Sequence, residues 1–143
     1  AEAAPAAAAP LPGIGTGLDE QEWEHIIRFA ARRRYPPGAV LLKAGDSDRA
    51  LHFVASGQVE LRGPGAARSV RGEGDVFGVL SFLDGEPSAV TAMVAATGPA
   101  EVLRITPDAL QQLSAWQPRI ALALMRDMGA QVAARLRRVQ PVD

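Results

Sequence analysis

Ser81, His52 and Asp84 are the residue types of a nucleophile, a base and an orienting acid, so a hydrolytic site can be written from them. Serine acyl transfer on a strand-turn-helix scaffold thrusts the hydroxyl out on a turn such as G-x-S-x-G, and nothing of that form surrounds Ser81. Cysteine is absent, which removes thiolate nucleophiles, disulfides and cysteine metal sites together. His25 and His52 have no third ligand at metal spacing, and no metal site is expected. The Gly-rich pieces at 63–69 (GPGAARS) and 72–78 (GEGDVFG) fit neither G-x-x-x-x-G-K-[ST] nor G-x-G-x-x-G. Both lie between strand-like runs, where they serve as turns. Arg28 with Arg32, Arg33 and Arg34 gathers charge that could meet a phosphate, a lipid head group or an acidic partner; the simpler reading is a solvated face. Trp23 and Trp116 border the strand-rich region, as helix-to-sheet anchors or, alternatively, as base-stacking groups. No residue set demands catalysis, and the chain is expected not to be an enzyme and to carry no cofactor of its own.

The elements that would position these residues are legible in the spacing. Asp19 with Glu22 has capping-box form, and Trp23, Ile26, Ile27 and Ala30 recur at helical spacing to about Ala31. From Tyr35 the texture changes to short β-branched or Leu-rich runs at 39–43, 51–56, 58–62, 68–71, 89–95 and 101–105, separated by Gly- and Pro-containing punctuation. Most of those connections read as hairpin turns. Thr106 before Pro107 begins a helix through Leu113, and after Pro118 another runs to about Arg138. The fold class is therefore α+β, mainly β: an antiparallel, jelly-roll-like β-roll with one N-terminal and two C-terminal helices.

Residues 1–17, rich in Ala and Pro, read as a flexible linker without the regions of a signal peptide, 18–138 as one domain and 139–143 as a tail. A net charge of -1 leaves no overall footprint for nucleic acid or an anionic membrane. No apolar run approaches the roughly 18 residues of a span. A cytoplasmic setting, with neither nucleic acid nor membrane contact, is expected. The last helix carries two apolar stripes. Ile120, Leu124 and Met128 form one; Leu122, Met125, Gly129, Val132 and Leu136 form the other. One stripe is expected to pack on the roll. The second suits a twin helix in a homodimer, unless a small fold wraps both stripes within itself.

Taken in order, Pro37-Gly38-Ala39-Val40-Leu41, Ala44-Gly45-Asp46, Leu51-His52-Phe53-Val54, Ser56-Gly57-Gln58-Val59-Glu60-Leu61, Gly74-Asp75-Val76-Phe77-Gly78 and Ser81-Phe82-Leu83-Asp84-Gly85-Glu86-Pro87 resemble the cyclic-nucleotide-binding domains. Gly45, Gly57 and Gly74 sit where such a roll must turn sharply. The resemblance covers about 18–138 and implies a phosphate-binding cassette, roughly F-G-E-x-[SA]-L and later P-R-[SA]-A, matched here by residues 77–90. It implies that backbone N–H groups of Gly78, Val79 and Leu80 meet a cyclic phosphate, with Ser81, Ser88 and Ala89 completing the candidate ligand site. In the family an arginine pairs with the phosphate and a glutamate accepts from the ribose 2′-hydroxyl; here Ser88 and Val79 stand there. Losing them should cost about 1.5 to 3 kcal/mol each, enough to turn a micromolar site into a millimolar one. Asp84 and Glu86, with no cation between 77 and 90, set the local field against a phosphate.

Two departures concern the C-terminal side. Family members usually extend the last helix, or add another, to cover the base, and neither that cover nor a helix-turn-helix is expected within residues 1–143. Two functions are then in play. One is a regulatory module sensing a small nucleotide ligand, with cAMP or cGMP bound weakly or in altered fashion, and passing the change to the final helix. The other is a ligand-free interaction or dimerisation module. Val79 and Leu80 turned inward and closing the cassette pocket would favour the second; an open pocket lined by Ser81 and Ser88 favours the first.

Overall fold

Residues 51–54 present no face that is polar along its length, so the strand they form has to be covered on both sides. In the computed structural model of the chain, which describes residues 11–65 and 68–139, sheet lies on one side of it and helix on the other. The elements run α1 (Glu20–Phe29), β1 (Ala31–Tyr35), β2 (Val40–Leu42), β3 (Leu51–Ser56), β4 (Val59–Arg62), β5 (Arg68–Arg71), β6 (Val76–Phe77), α2 (Val79–Asp84), β7 (Thr91–Val94), β8 (Ala100–Ile105), α3 (Pro107–Trp116) and α4 (Pro118–Val139). The strands make two four-stranded sheets, ordered β1-β8-β3-β6 and β2-β7-β4-β5, paired antiparallel throughout. This is the expected β-roll with its N-terminal helix and two C-terminal helices.

Strand alternation divides the core in two. Val54 and Val102 point between the sheets and pack with Leu42, Val59, Leu61, Phe77, Ala92 and Val94. Leu51, Phe53, Leu103 and Ile105 point the other way, onto Ile26, Leu113, Ile120, Leu124 and Met128 from the helices. The stripe of Ile120, Leu124 and Met128 thus packs on the roll. Trp23 meets Phe53 edge-on at 5.1 Å, joining α1 to β3. Helix starts follow the sequence: Asp19 Oδ1 accepts from Glu22 N (2.8 Å), Glu22 Oε1 accepts from Asp19 N (2.9 Å), and Thr106 Oγ1 accepts from Ala109 N (3.1 Å). No helix among the described residues is long and apolar enough to cross a membrane.

Four sequence expectations need correction. Helix α1 ends at Phe29, and Arg32, Arg33 and Arg34 lie on β1, an exposed edge strand, with Arg32 3.3 Å from Glu101 on its neighbour. Charge on a sheet edge discourages pairing with other chains, so the arginines suit a strand as well as a helix face. The connections are mostly crossings, not hairpins: the chain passes between sheets at nearly every turn, and β4–β5 is the sequence-adjacent pair that hydrogen-bonds. Gly57 makes one such crossing at φ 83, where a Cβ would stand 2.4 Å from the Pro99 carbonyl oxygen. Strand β6 is two residues long, too short for a periodic signal.

The fourth concerns the linker boundary. Residues 1–10 and 140–143, most of the expected linker and tail, lie outside the described residues, but 11–17 pack onto the domain. Ile14 is 2% exposed in the helix-side core. Gly15 N donates to Asp127 Oδ2 (2.8 Å), Trp23 Nε1 to the Gly15 carbonyl (3.0 Å), and the buried Gln131 Nε2 to the Pro12 carbonyl (3.1 Å). The Ala/Pro composition hides one isoleucine with a core to fill. Ile14→Ala is expected to lower stability by about 3 kcal/mol, and Gly57→Ala by about 2 kcal/mol or more through strain and backbone overlap. Urea denaturation measures both; an unchanged midpoint for Ile14→Ala would return 11–17 to the linker.

Candidate functional site

Phe77 closes β6 with its ring buried between the sheets, and the chain must then leave the sheet at once. Gly78 makes that turn in the left-handed region, φ 85 and ψ 12, where a Cβ would stand 2.7 Å from the Ala50 carbonyl oxygen and 3.2 Å from His52 Cδ2. Helix α2 begins there. Phe82 N is the first to reach a helical acceptor, the Gly78 carbonyl at 3.0 Å, so the N–H groups of Val79, Leu80 and Ser81 have none within the helix. Arg49 Nη2 donates to the Phe82 carbonyl at 3.1 Å and holds the far end. After Gly85, Ser88 is pinned between loops: its N donates to the Asp46 carbonyl (2.9 Å) and its carbonyl accepts from Gly45 N (2.7 Å). Its hydroxyl donates to the Val90 carbonyl (2.8 Å) and accepts from Val90 N (3.1 Å).

A groove of about 590 Å³ opens over this cassette. Gly78, Val79, Leu80, Ser81, Ser88 and Ala89, the six ligand candidates, all line it; the opposite wall is the β4–β5 hairpin, and Arg135 of α4 reaches its rim. Val79 is 1% exposed and belongs to the helix-side core, whereas Leu80 is 48% exposed. Val79 therefore turns inward without closing the groove, and Ser81 and Ser88 remain on its wall.

Under the cassette, His52 stacks on Phe77 with ring centroids 4.6 Å apart, and its Nε2 lies 3.3 Å from Asp48 Oδ2. Asp48 Oδ1 accepts from Arg104 Nη2 at 2.7 Å and from Ala50 N at 3.1 Å. His52, then Arg104 and the Ala50 N–H, hold the Asp48 carboxyl well below the usual carboxylate range against the opposing effect of burial. This network fixes the loop that Gly78 passes over. It also removes the paper triad, since His52 faces Asp48, and Asp84 Oδ1 is taken by Glu86 N at 2.8 Å.

The expectation of an acid-dominated field is corrected by distant residues. Arg68 and Arg71 of β5 and Arg135 of α4 line the groove, although the segment 77–90 has no cation. Sequence reasoning missed them because strand pairing and helix packing, and no local motif, bring them there. Of the second stripe, Leu122, Met125 and Leu136 are 53%, 41% and 57% exposed and Gly129 is exposed, while Val132 is partly buried against the core. Trp116 lies away from the groove, with His25 edge-on at 4.7 Å and Arg28 over its ring at 5.0 Å.

Comparison with known proteins bears on the same region. The sequence model of the cyclic nucleotide-binding domain matches residues 32–115. The cyclic AMP receptor protein of Thermus thermophilus is 37% identical over 84 residues, 54% of this chain and 39% of that protein. Glutaminase 2 of Bradyrhizobium diazoefficiens is 30% identical over 120 residues, 83% of this chain and 19% of that protein. The crystal structure of Thermus thermophilus catabolite activator protein superposes with a TM-score of 0.74 at 29% identity, covering 88% of this chain and 59% of that one. The chain thus spans well under two thirds of these curated relatives.

The depressed Asp48 sets a sign for acid stability. A carboxyl whose folded pKa lies below its unfolded value near 3.9 contributes stability that is present above that value and lost as pH falls through the folded one. Asp48→Asn is expected to cost about 2 kcal/mol at neutral pH, with the deficit shrinking as pH drops below about 4. Urea midpoints of both proteins from neutral pH to pH 3 test it; a deficit independent of pH would assign the loss to packing.

Proposed function

The chain belongs to the cyclic-nucleotide-binding domain family, and on that premise we propose that it acts as a non-catalytic regulatory module whose groove takes a small nucleotide ligand, with cAMP and cGMP bound weakly. The observation that carries this is the open groove beside α2, lined by Ser81 and Ser88, with Val79 at the position of the family's ribose-binding glutamate. Free backbone donors at the start of α2 supply part of a phosphate site without any side chain. The residues that stand in place of the family's glutamate and arginine do not compensate for them: Val79 is buried in the core, and the Ser88 hydroxyl is closed on Val90. A cytoplasmic setting and the absence of an enzymatic step go with this role.

A second reading, docking through α4, is favoured by the exposure of Leu122, Met125 and Leu136. That face is not wrapped by the domain itself among the described residues, and a homodimer would cover it. The two readings are compatible, since a ligand-sensing groove and a docking helix share α4 through Arg135.

Amide-shift titration with cAMP, cGMP and cyclic di-GMP tests the groove. The native chain is expected to bind cAMP and cGMP no tighter than about millimolar, and Val79→Glu/Ser88→Arg at least about tenfold tighter. Saturable micromolar shifts at Gly78 to Ser81 in the native chain would mean that backbone donors suffice and that the energetic reasoning fails. For docking, sedimentation at about 100 μM is expected to give a dimer that Leu122→Asp/Leu136→Asp reduces to a monomer. A monomeric native chain would remove the second reading.

A further inference from the structure

Two arginines bring to the groove the charge that the cassette lacks. Arg71 on β5 and Arg135 on α4 are each partly buried, and both also line a smaller cleft of about 320 Å³ beneath Gly74, Asp75 and Val76. They therefore stand on the wall that the two cavities share. Arg71 is held in place, its Nε donating to the Val76 carbonyl (3.0 Å) and its Nη1 to Ser69 Oγ (3.1 Å). A guanidinium has five N–H donors, so Arg71 keeps donors to offer. The Arg135 side chain has no hydrogen-bond or ion-pair partner among the described residues.

The charge around the pair is unevenly balanced, since Asp75 acts on Arg71 whereas Arg135 is opposed by Arg71. Asp75, whose Oδ2 also accepts from Gly72 N at 2.8 Å, acts favourably on Arg71. Asp84 and Glu86 line the same groove on the cassette, where Asp84 is tied to the Glu86 N–H. Burial first, and then the charge of Arg71, press the pKa of Arg135 below its ordinary range. Two partly desolvated guanidinium groups that repel each other are what a shared anion relieves, and a phosphoryl group has enough acceptor oxygens to serve both.

We propose that Arg71 and Arg135 form a phosphoryl-binding pair, which seats the phosphate of the groove's ligand from β5 and α4 in place of the cassette arginine that Ser88 replaces. The inference rests on the groove being a ligand site. Without the anion the two like charges push α4 and β5 apart; with it they become the two ends of a bridge.

Arg71 also supports β6, so Arg135 is the residue to change. Inorganic phosphate and cAMP are titrated separately at constant ionic strength, followed by amide shifts and thermal unfolding, on the native chain, Arg135→Gln and Arg135→Glu. Native protein is expected to bind inorganic phosphate at millimolar concentration and Arg135→Gln about tenfold more weakly, with the same loss for cAMP. Arg135→Glu, which exchanges repulsion for attraction, is expected to raise the unliganded Tm and abolish the phosphate response. Phosphate binding that Arg135→Gln weakens, with no response to cAMP, keeps the pair as a free-anion site and sinks the nucleotide reading. Binding of cAMP that Arg135→Gln leaves unchanged does the reverse. Equal phosphate affinity in native and Arg135→Gln proteins, no phosphate response at all, or a lower Tm for Arg135→Glu overturns the pair.

Discussion

The backbone of Gly78 passes so near the Ala50 carbonyl that the first carbon of any side chain would stand 2.7 Å from it. That approach is the constraint on which the cassette depends. It joins β6 to β3 at the pair His52 and Phe77, fixes where the chain leaves the sheet, and so determines where α2 begins. The partners around it are arranged to keep the loop before β3 still: Asp48 is held by Arg104 and faces His52, and Arg49 reaches across to the end of α2. A floor built this way is held by side-chain and backbone contacts from one loop, and the walls of the groove are built separately.

Those walls divide by chain distance. The near wall, residues 77–90, is contiguous, and its glycines, serines and departures at Val79 and Ser88 were readable as a pattern. The far wall includes Arg71, upstream of the near wall, and Arg135, far downstream of it on α4. No local rule relates them. The roll's habit of switching sheets at almost every turn is what folds β5 over the cassette, and α4 arrives only because its buried stripe packs on β3 and β8.

The same physics separates what the sequence made legible elsewhere. Helix N-caps and a long apolar stripe are short-range or periodic signals, and Asp19, Thr106, Ile120, Leu124 and Met128 behave as their spacing implies. Gly45, Gly57 and Gly74 take positive φ, as sharp turns in a roll require. Pairing partners are a different matter. Nothing in residues 31–35 announces a strand, because an edge strand faces water on much of its surface and its three arginines mask the β pattern. Ile14 was lost for the opposite reason, a single core residue inside a stretch whose composition speaks for a linker.

The clasp formed by Ile14, Gly15, Asp127 and Gln131 also ties together parts of the chain 112 residues apart. The segment ahead of α1 is fastened to α4, not to the roll alone, and α4 carries both the groove arginine and the exposed apolar stripe. Its two anchors on α4, Asp127 and Gln131, lie between Leu122 and Arg135. The residues just ahead of α1 and the exposed apolar stripe of α4 therefore share one helix as their support.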